Sequence, residues 1–397
     1  MTGADPTTIS VPQTHRLVYL VHDLGDPAVA RRLAMLEPYL ESAVVIGFHR
    51  TAEVPDRVAG WPAVAIGRTH DGRLGRRLLS VAAARFAAGR LRNYFLNSTV
   101  VIARQLEMLL LARALRAKFA ANATLVYECL DIHRLMTASS PIAAILQPLE
   151  ARFLRDTDLL VVSSPAFVSQ HLARIHGSVL PPVFIAENKV LAAEAGFDQQ
   201  NWDRPAGPPW RIGWYGVLRC RRSLELLAEL VRRLPGRVVV ELRGRPALSA
   251  IPDFAALVAA APGLEFLGPY DRHRDLGRIY GGVHFAWAID FFEDGGNSQW
   301  LLPNRLYEGG AHGAIPIAMD SVETGRWLAR HAAGIRLGEA AGDDLFSYFF
   351  TLTEAAYMAA RQSLAAVPRE NWVDDGQDGA ALAAMLACRS RRQYRTG

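Results

Sequence analysis

Lysine is almost missing from this chain: only Lys118 and Lys189 occur, so nearly all of its 44 lysine-plus-arginine side chains are arginine. A GC-rich genome gives the same bias, and the preference alone does not point to nucleic acid. Cysteine is equally sparse. Cys129, Cys220 and Cys388 are odd in number and far apart, with no CxxC, which argues against a disulfide framework and a zinc site and fits a reducing cytosol. No run of about 18 uncharged apolar residues occurs, so no transmembrane helix is expected. MTGADPTTISVPQTH lacks the basic stretch and apolar core of a secretory signal. A cytosolic protein, at most peripheral to a membrane, is the expectation.

What is present is ordinary globular material, 50% hydrophobic and 21% charged over 397 residues, with a formal charge of +5. That length favours two domains over one core. RLVYLVHDL, AVVIGFH, PAVAIG, TVVIARQ, TLVYECLD, LLVVSS and VFIAEN read as strands, with helical periodicity between most of them. FDQQNWDRPAGPPW, residues 197–210, is the best linker. RIGWYG, VVVELRG, LEFLGPY, HFAWAID, IPIAMD and GIRLG then repeat the plan. The expected fold is α/β, two doubly wound Rossmann-like domains with an interdomain cleft, divided at 1–200 and 201–370. A helix within 371–397 is expected to pack back across the junction. Ligands of such sheets bind beyond the carboxyl ends of the strands.

One stretch has a composition its own packing does not explain. In NSQWLLPNRLYEGGAHGAIPIAMD, Pro303 opens a short helix, and Asn304 and Glu308 share one face of it. The helix N-terminus suits a phosphate, and a carboxylate at Glu308 suits a vicinal diol such as a ribose. A capped, half-exposed helix whose glutamate meets solvent is the competing reading. Gly309 and Gly310 each cost about 1 kcal/mol of helix propensity, which close approach to a neighbour or a ligand would offset. In RIGWYGVLRCRRS a strand ends at Gly216, and Arg219, Arg221 and Arg222 crowd the start of the next helix, as a diphosphate requires. Gly244 and Arg245, in the turn after VVVELRG, are candidates to lie under a base or sugar.

The order GWYGVLRCRRS, ELRGRP, LEFLGPY and LPNRLYEGGAHGAIPIA resembles the donor domain of GT-B glycosyltransferases. Through nearly the whole chain, VYLVHDLGDPAVARR, VYECLDIHRLM, VVSSPAFV, AENKV and AIDFFEDGGNSQWLLPNRLYEGG most resemble ExoL-type glucosyltransferases of succinoglycan exopolysaccharide assembly. The resemblance implies an N-terminal acceptor domain and a C-terminal donor domain, with Glu308 on the nucleotide ribose and Arg222 on the diphosphate. It also implies a UDP-glucose donor, β-linkage with inversion, and a polyprenyl-diphosphate-linked oligosaccharide acceptor. One position departs from the superfamily. The common pair of glutamates separated by seven residues needs an acid at 300, where Trp300 stands, so Asp294 or Asn297 is left to hold the sugar.

An inverting transfer needs one base to take the acceptor proton. Asp131, after a nearly apolar strand, is the first choice; His22 is the alternative, and His133 reads as an orienting or binding residue. Asp26, before PAVARRL, reads as a helix cap. No convincing DxD and no His/Asp cluster with ligand spacing occurs, so no metal and no cofactor is expected, the arginines and the helix dipole neutralising the leaving UDP. The segment 72–96 holds six arginines and no acid. It reads either as a basic helix face or as a contact with anionic lipid, with Arg73, Arg76 and Arg77 nearest the membrane and acceptor. Its aromatics are not interleaved for stacking, so nucleic acid is not expected. The other readings are a GT-B-shaped UDP-sugar epimerase and a two-domain sugar-binding protein. HDLGDPAVA lacks the glycine pattern of a dinucleotide site.

Overall fold

The structure is a computed structural model describing residues 14–50, 54–68, 88–132, 136, 141–177, 180–194 and 204–394. His133, Arg73, Arg76 and Arg77, together with the expected boundary at 200/201, lie outside the described residues. The first sheet contains β1 (His15–Val21), β2 (Leu40–His49), β3 (Arg57–Val58), β4 (Trp61–Arg68), β5 (Val100–Arg104), β6 (Thr124–Cys129), β7 (Leu159–Val162) and β8 (Val183–Ile185). Their order is β3-β4-β2-β1-β5-β6-β7-β8, with β3 alone antiparallel to its neighbour. Alternation along β1 sends Val18 and Leu20 into one core, with Met108 and Leu111 of the helix Leu106–Phe119. Leu17, Tyr19 and Val21 enter the other, with Val29 and Leu33 of the helix Pro27–Leu36. Helices cover both faces, which is why the strands read as unbroken apolar runs.

After β9 (Val190–Leu191), the second sheet contains β10 (Trp210–Leu218), β11 (Val238–Pro246), β12 (Leu264–Phe266), β13 (Phe285–Trp287), β14 (Ile315–Met319) and β15 (Ile335–Leu337). Its order is β12-β11-β10-β13-β14-β15, all parallel. Trp210, Trp214, Trp287 and Trp327 fill its larger core. A short β16 (Val373–Asp374) pairs with β9. The helix Gln377–Tyr394 then returns Leu382 and Leu386 to the first domain's core, where His15 Nε2 meets the Ala383 carbonyl at 3.2 Å.

This strand order locates the crevices. The first sheet grows outward from β1 through β2 and β4, then restarts on the other side of β1 with β5. The second reverses in the same way between β10 and β13. At each reversal the connections leave to opposite faces, and a crevice opens beyond the strand ends.

Candidate active site

Asp131 follows β6 and His22 follows β1, so both reach the crevice of the first sheet. They share a cavity of about 260 Å³ with Arg50 and Arg104 of the same domain and with Arg219 and Asn297 of the other. Asp26 caps the helix Pro27–Leu36 by accepting from the Ala28 N–H at 2.9 Å, and its other oxygen accepts from Arg104 at 3.0 Å. Beneath the cavity lies Glu128, 0% exposed. Its carboxylate accepts from Arg32 Nε at 2.7 Å, from Arg104 Nη1 at 3.1 Å and from the Tyr19 hydroxyl. Burial alone pushes Glu128 upward, but the two guanidinium groups win and hold it below the ordinary carboxylate range. The floor of the crevice is a buried charge network in which Glu128 is held by both guanidinium groups.

Asp131 is the contrast. The residue is open to water from the cleft, yet a narrow cavity solvates a carboxylate poorly. Desolvation by the surrounding protein is the largest influence and raises its pKa. The Asn297 side chain and the charges of Arg219 and Arg104 pull it down, and Asp26 adds to the rise. The net effect is a carboxylate more basic than an ordinary aspartate, in a cleft, which is the condition a general base needs.

On the second wall, Gly216 and Gly244 are register partners with φ of +110° and +118°. β10 and β11 run two residues past them, so Gly216 does not end its strand, and Gly244 and Arg245 lie within β11 rather than in a turn. A Cβ on Gly244 would sit 2.0 Å from the Gly216 carbonyl oxygen, so no side chain fits there. The arginines do not cluster as the sequence suggests. Arg219 turns to the cavity, stacked 4.5 Å from the Phe292 ring and 3.6 Å from Asp290. Arg222 stacks on Phe291 and pairs with Asp294 at 3.3 Å, both side chains more than half exposed. Arg221 faces away, toward Asp253 and Glu225.

The puzzling helix spans Asn304–Ala311, with Pro303 as its N-cap rather than in its first turn. Its glycines answer to neighbours: a Cβ on Gly309 would meet Ala286 of β13 at 2.4 Å, and one on Gly310 would meet the Trp372 ring at 2.2 Å. Glu308 is not solvent-facing. It is 3% exposed, its oxygens accepting from Arg272 Nε at 2.9 Å and from the Tyr280 hydroxyl at 3.3 Å. Arg272 also binds Glu194, on the segment leading out of the first domain, at 2.7 Å. Asn304 is exposed and accepts from Arg31, of the first domain's Pro27–Leu36 helix, at 3.2 Å. Sequence reading missed Arg31, Arg104, Glu194 and Arg272. Only the position of Arg104, a charge closing an apolar strand, marked any of them. Among the described residues no group of three or more His, Cys, Asp or Glu is arranged to hold a metal ion.

No protein-family model matches the chain. Over 376 residues it is 42% identical to the succinoglycan biosynthesis protein ExoL of Rhizobium meliloti (strain 1021), an alignment covering 94% of this chain and 93% of that protein. The chain belongs to the ExoL family. Its fold is GT-B, two Rossmann-like domains about a cleft, as in three solved structures of low identity. α,α-Trehalose-6-phosphate synthase from Burkholderia multivorans superposes with a TM-score of 0.65 at 12% identity, over 97% of this chain and 98% of that one. Sucrose-phosphate synthase from Thermosynechococcus elongatus gives 0.62 at 15%, over 96% and 98%. HepE of Anabaena, in complex with UDP and glucose, gives 0.59 at 15%, over 96% and 99%.

In this ExoL-family chain the departure at Trp300 has a structural meaning. The loop after β13 docks onto the first domain: the Trp300 carbonyl accepts from the Ser164 hydroxyl, and the indole lies 5.5 Å from the His171 ring. Where an acid would face the cleft, an aromatic anchors one wall to the other.

Proposed function

We propose that the chain transfers a hexose, glucose by resemblance to its family, from a UDP-sugar to a lipid-linked oligosaccharide in exopolysaccharide assembly, with inversion and without a metal. The observation that carries the reading is a single cavity holding a raised-pKa aspartate from one wall and a guanidinium from the other. In this reading the acceptor hydroxyl attacks the anomeric carbon as Asp131 takes its proton. The carbon–oxygen bond to UDP breaks, and the electron pair leaves on the diphosphate. Arg219, Arg222 and the N-terminus of the Asn304–Ala311 helix neutralise that charge in this reading. Gly216 leaves open space beside the strand end, so the nucleotide can approach backbone there.

We assign the acceptor side to the first domain and the donor side to the second. We assign membrane recruitment to the segment of Arg73, Arg76 and Arg77, whose arginines and interspersed apolar residues suit an anionic lipid surface. Replacing those three arginines with glutamine should abolish co-flotation with anionic vesicles.

The deciding experiment is calorimetric titration with UDP, GDP and ADP in EDTA, followed by turnover of UDP-glucose with a lipid-linked acceptor. Selective UDP binding, UDP release that depends on acceptor, and a β-configured product are expected. An α-configured product would remove the inverting step, and release of an epimerised sugar without acceptor would replace the transferase reading.

A further inference from the structure

The notable feature of the cavity is that its aspartate is held from the opposite domain. Asn297 opens the short helix Asn297–Trp300 that ends the connection after β13, and the residue is 5% exposed. Its amide nitrogen donates to Asp131 Oδ1 at 2.7 Å, and its amide oxygen accepts from the Ile132 N–H at 3.3 Å. The chemistry of the partners fixes this orientation, because a carboxylate accepts and a backbone N–H donates. Both ends of the Asn297 amide are thus engaged by the Asp131 segment, one N–H on its carboxylate and the oxygen on the following backbone N–H. We infer that Asn297 is a positioning residue for the base, and that docking of the second domain's loop completes the first domain's catalytic carboxylate. The inference deepens the transferase reading and rests on Asp131 as its base.

The same loop is fastened on either side of Asn297. Glu293 N–H donates to the Ser298 hydroxyl at 2.9 Å, and Trp300 is tied to Ser164. The amide thus arrives on a braced segment, as a positioning role requires. A hydrogen bond to the ionised form stabilises it, so the interaction also sets where the base titrates. Other charges face Asp131. His22, Asp26, Arg50 and Arg104 come from strand ends of the first domain, and Arg219 and Glu293 from the second. Glu107 and Glu150 lie on helices of the same cavity. Tyr127 and Cys129 of β6 are pushed up by burial and stay neutral. An Asn297 variant leaves all of these in place.

The experiment measures kcat against pH, and UDP affinity by calorimetry, for wild type, Asn297→Ala, Asn297→Asp and Asp131→Asn. Asn297→Ala should move the acid limb of kcat to higher pH, lower kcat about tenfold near pH 6 and change UDP affinity by less than about twofold. Asn297→Asp, which keeps the shape and guards against a variant that fails to fold, should move the limb further, since two carboxylates then share one site. An acid limb that stays put in both variants overturns the inference. So does a loss of UDP affinity, which would assign Asn297 to the donor. Retained turnover in Asp131→Asn strikes the base itself, so the two failures are told apart.

Discussion

Two carboxylates near the cleft, Glu128 under the first sheet's crevice and Asp131 at its opening, lie three residues apart and have opposite fates. Glu128, next to last in β6, faces inward, meets two guanidinium groups and is driven down in pKa. Asp131, just beyond the strand, has one amide and more distant charges and is driven up. Desolvation penalises the charge of both. What separates them is whether cations lie within hydrogen-bond reach, and that decides which is scaffold and which is available to a substrate.

The comparison is broken most forcefully at Glu128. Glu128→Gln leaves Arg32 buried without its anion and Arg104 with Asp26 alone, and should cost about 3–5 kcal/mol in a denaturant titration. The sign of its pH dependence follows from the depressed pKa. The carboxylate's contribution is complete above its unfolded pKa and is lost as pH falls through the folded one. The gap in Tm between wild type and Glu128→Gln should therefore be widest near neutrality and close on acidification. A gap independent of pH would mean that shape, not charge, holds the floor.

The next effect belongs to Glu308, which resembles Glu128 more than Asp131. It is buried and already occupied by Arg272 and Tyr280. For it to take a ribose, as the family resemblance implies, one of those contacts has to be exchanged. Glu308→Gln should weaken UDP binding about tenfold, about 1.4 kcal/mol, and cost stability because Arg272 is then left with Glu194 as its one carboxylate. Arg272→Gln separates the two contributions, because it removes the competitor while sparing the carboxylate. Tighter UDP binding in that variant is the expected outcome. If both variants lower stability and leave UDP affinity unchanged, Glu308 is scaffold only.

These contrasts mark where sequence reading reached and where it stopped. The longer strands were legible because a strand buried on both faces is a run of apolar residues, and the strand ends placed Asp131 and His22 at the cleft. β3, β9 and β16 are two residues each and carry no periodicity. The pairings were not legible either. Glu308 meets Arg272 across 36 residues and Asn297 meets Asp131 across 166, and no local pattern encodes a contact at such separation. Gly309 and Gly310 were ambiguous between ligand and neighbour until β13 and Trp372 supplied the neighbours. Asn297 was read as a sugar holder from a missing glutamate, and the geometry turns it toward Asp131 instead.

The smallest effect sharpens the comparison at the exposed end. Arg222 and Asp294 form the one pair among the proposed donor residues in which both side chains are more than half exposed. Such pairs contribute about 0–1 kcal/mol, so Asp294→Asn should leave Tm unchanged. It also removes the anion that competes with a diphosphate for Arg222. UDP affinity should then rise about two- to threefold at low salt, with the gain fading as ionic strength screens the site. Weaker binding of UDP-glucose with UDP affinity not reduced would instead place Asp294 on the donor sugar, the role left open by Trp300. A weak pair can be exchanged for a ligand at little cost, whereas the pairs around Glu128 cannot.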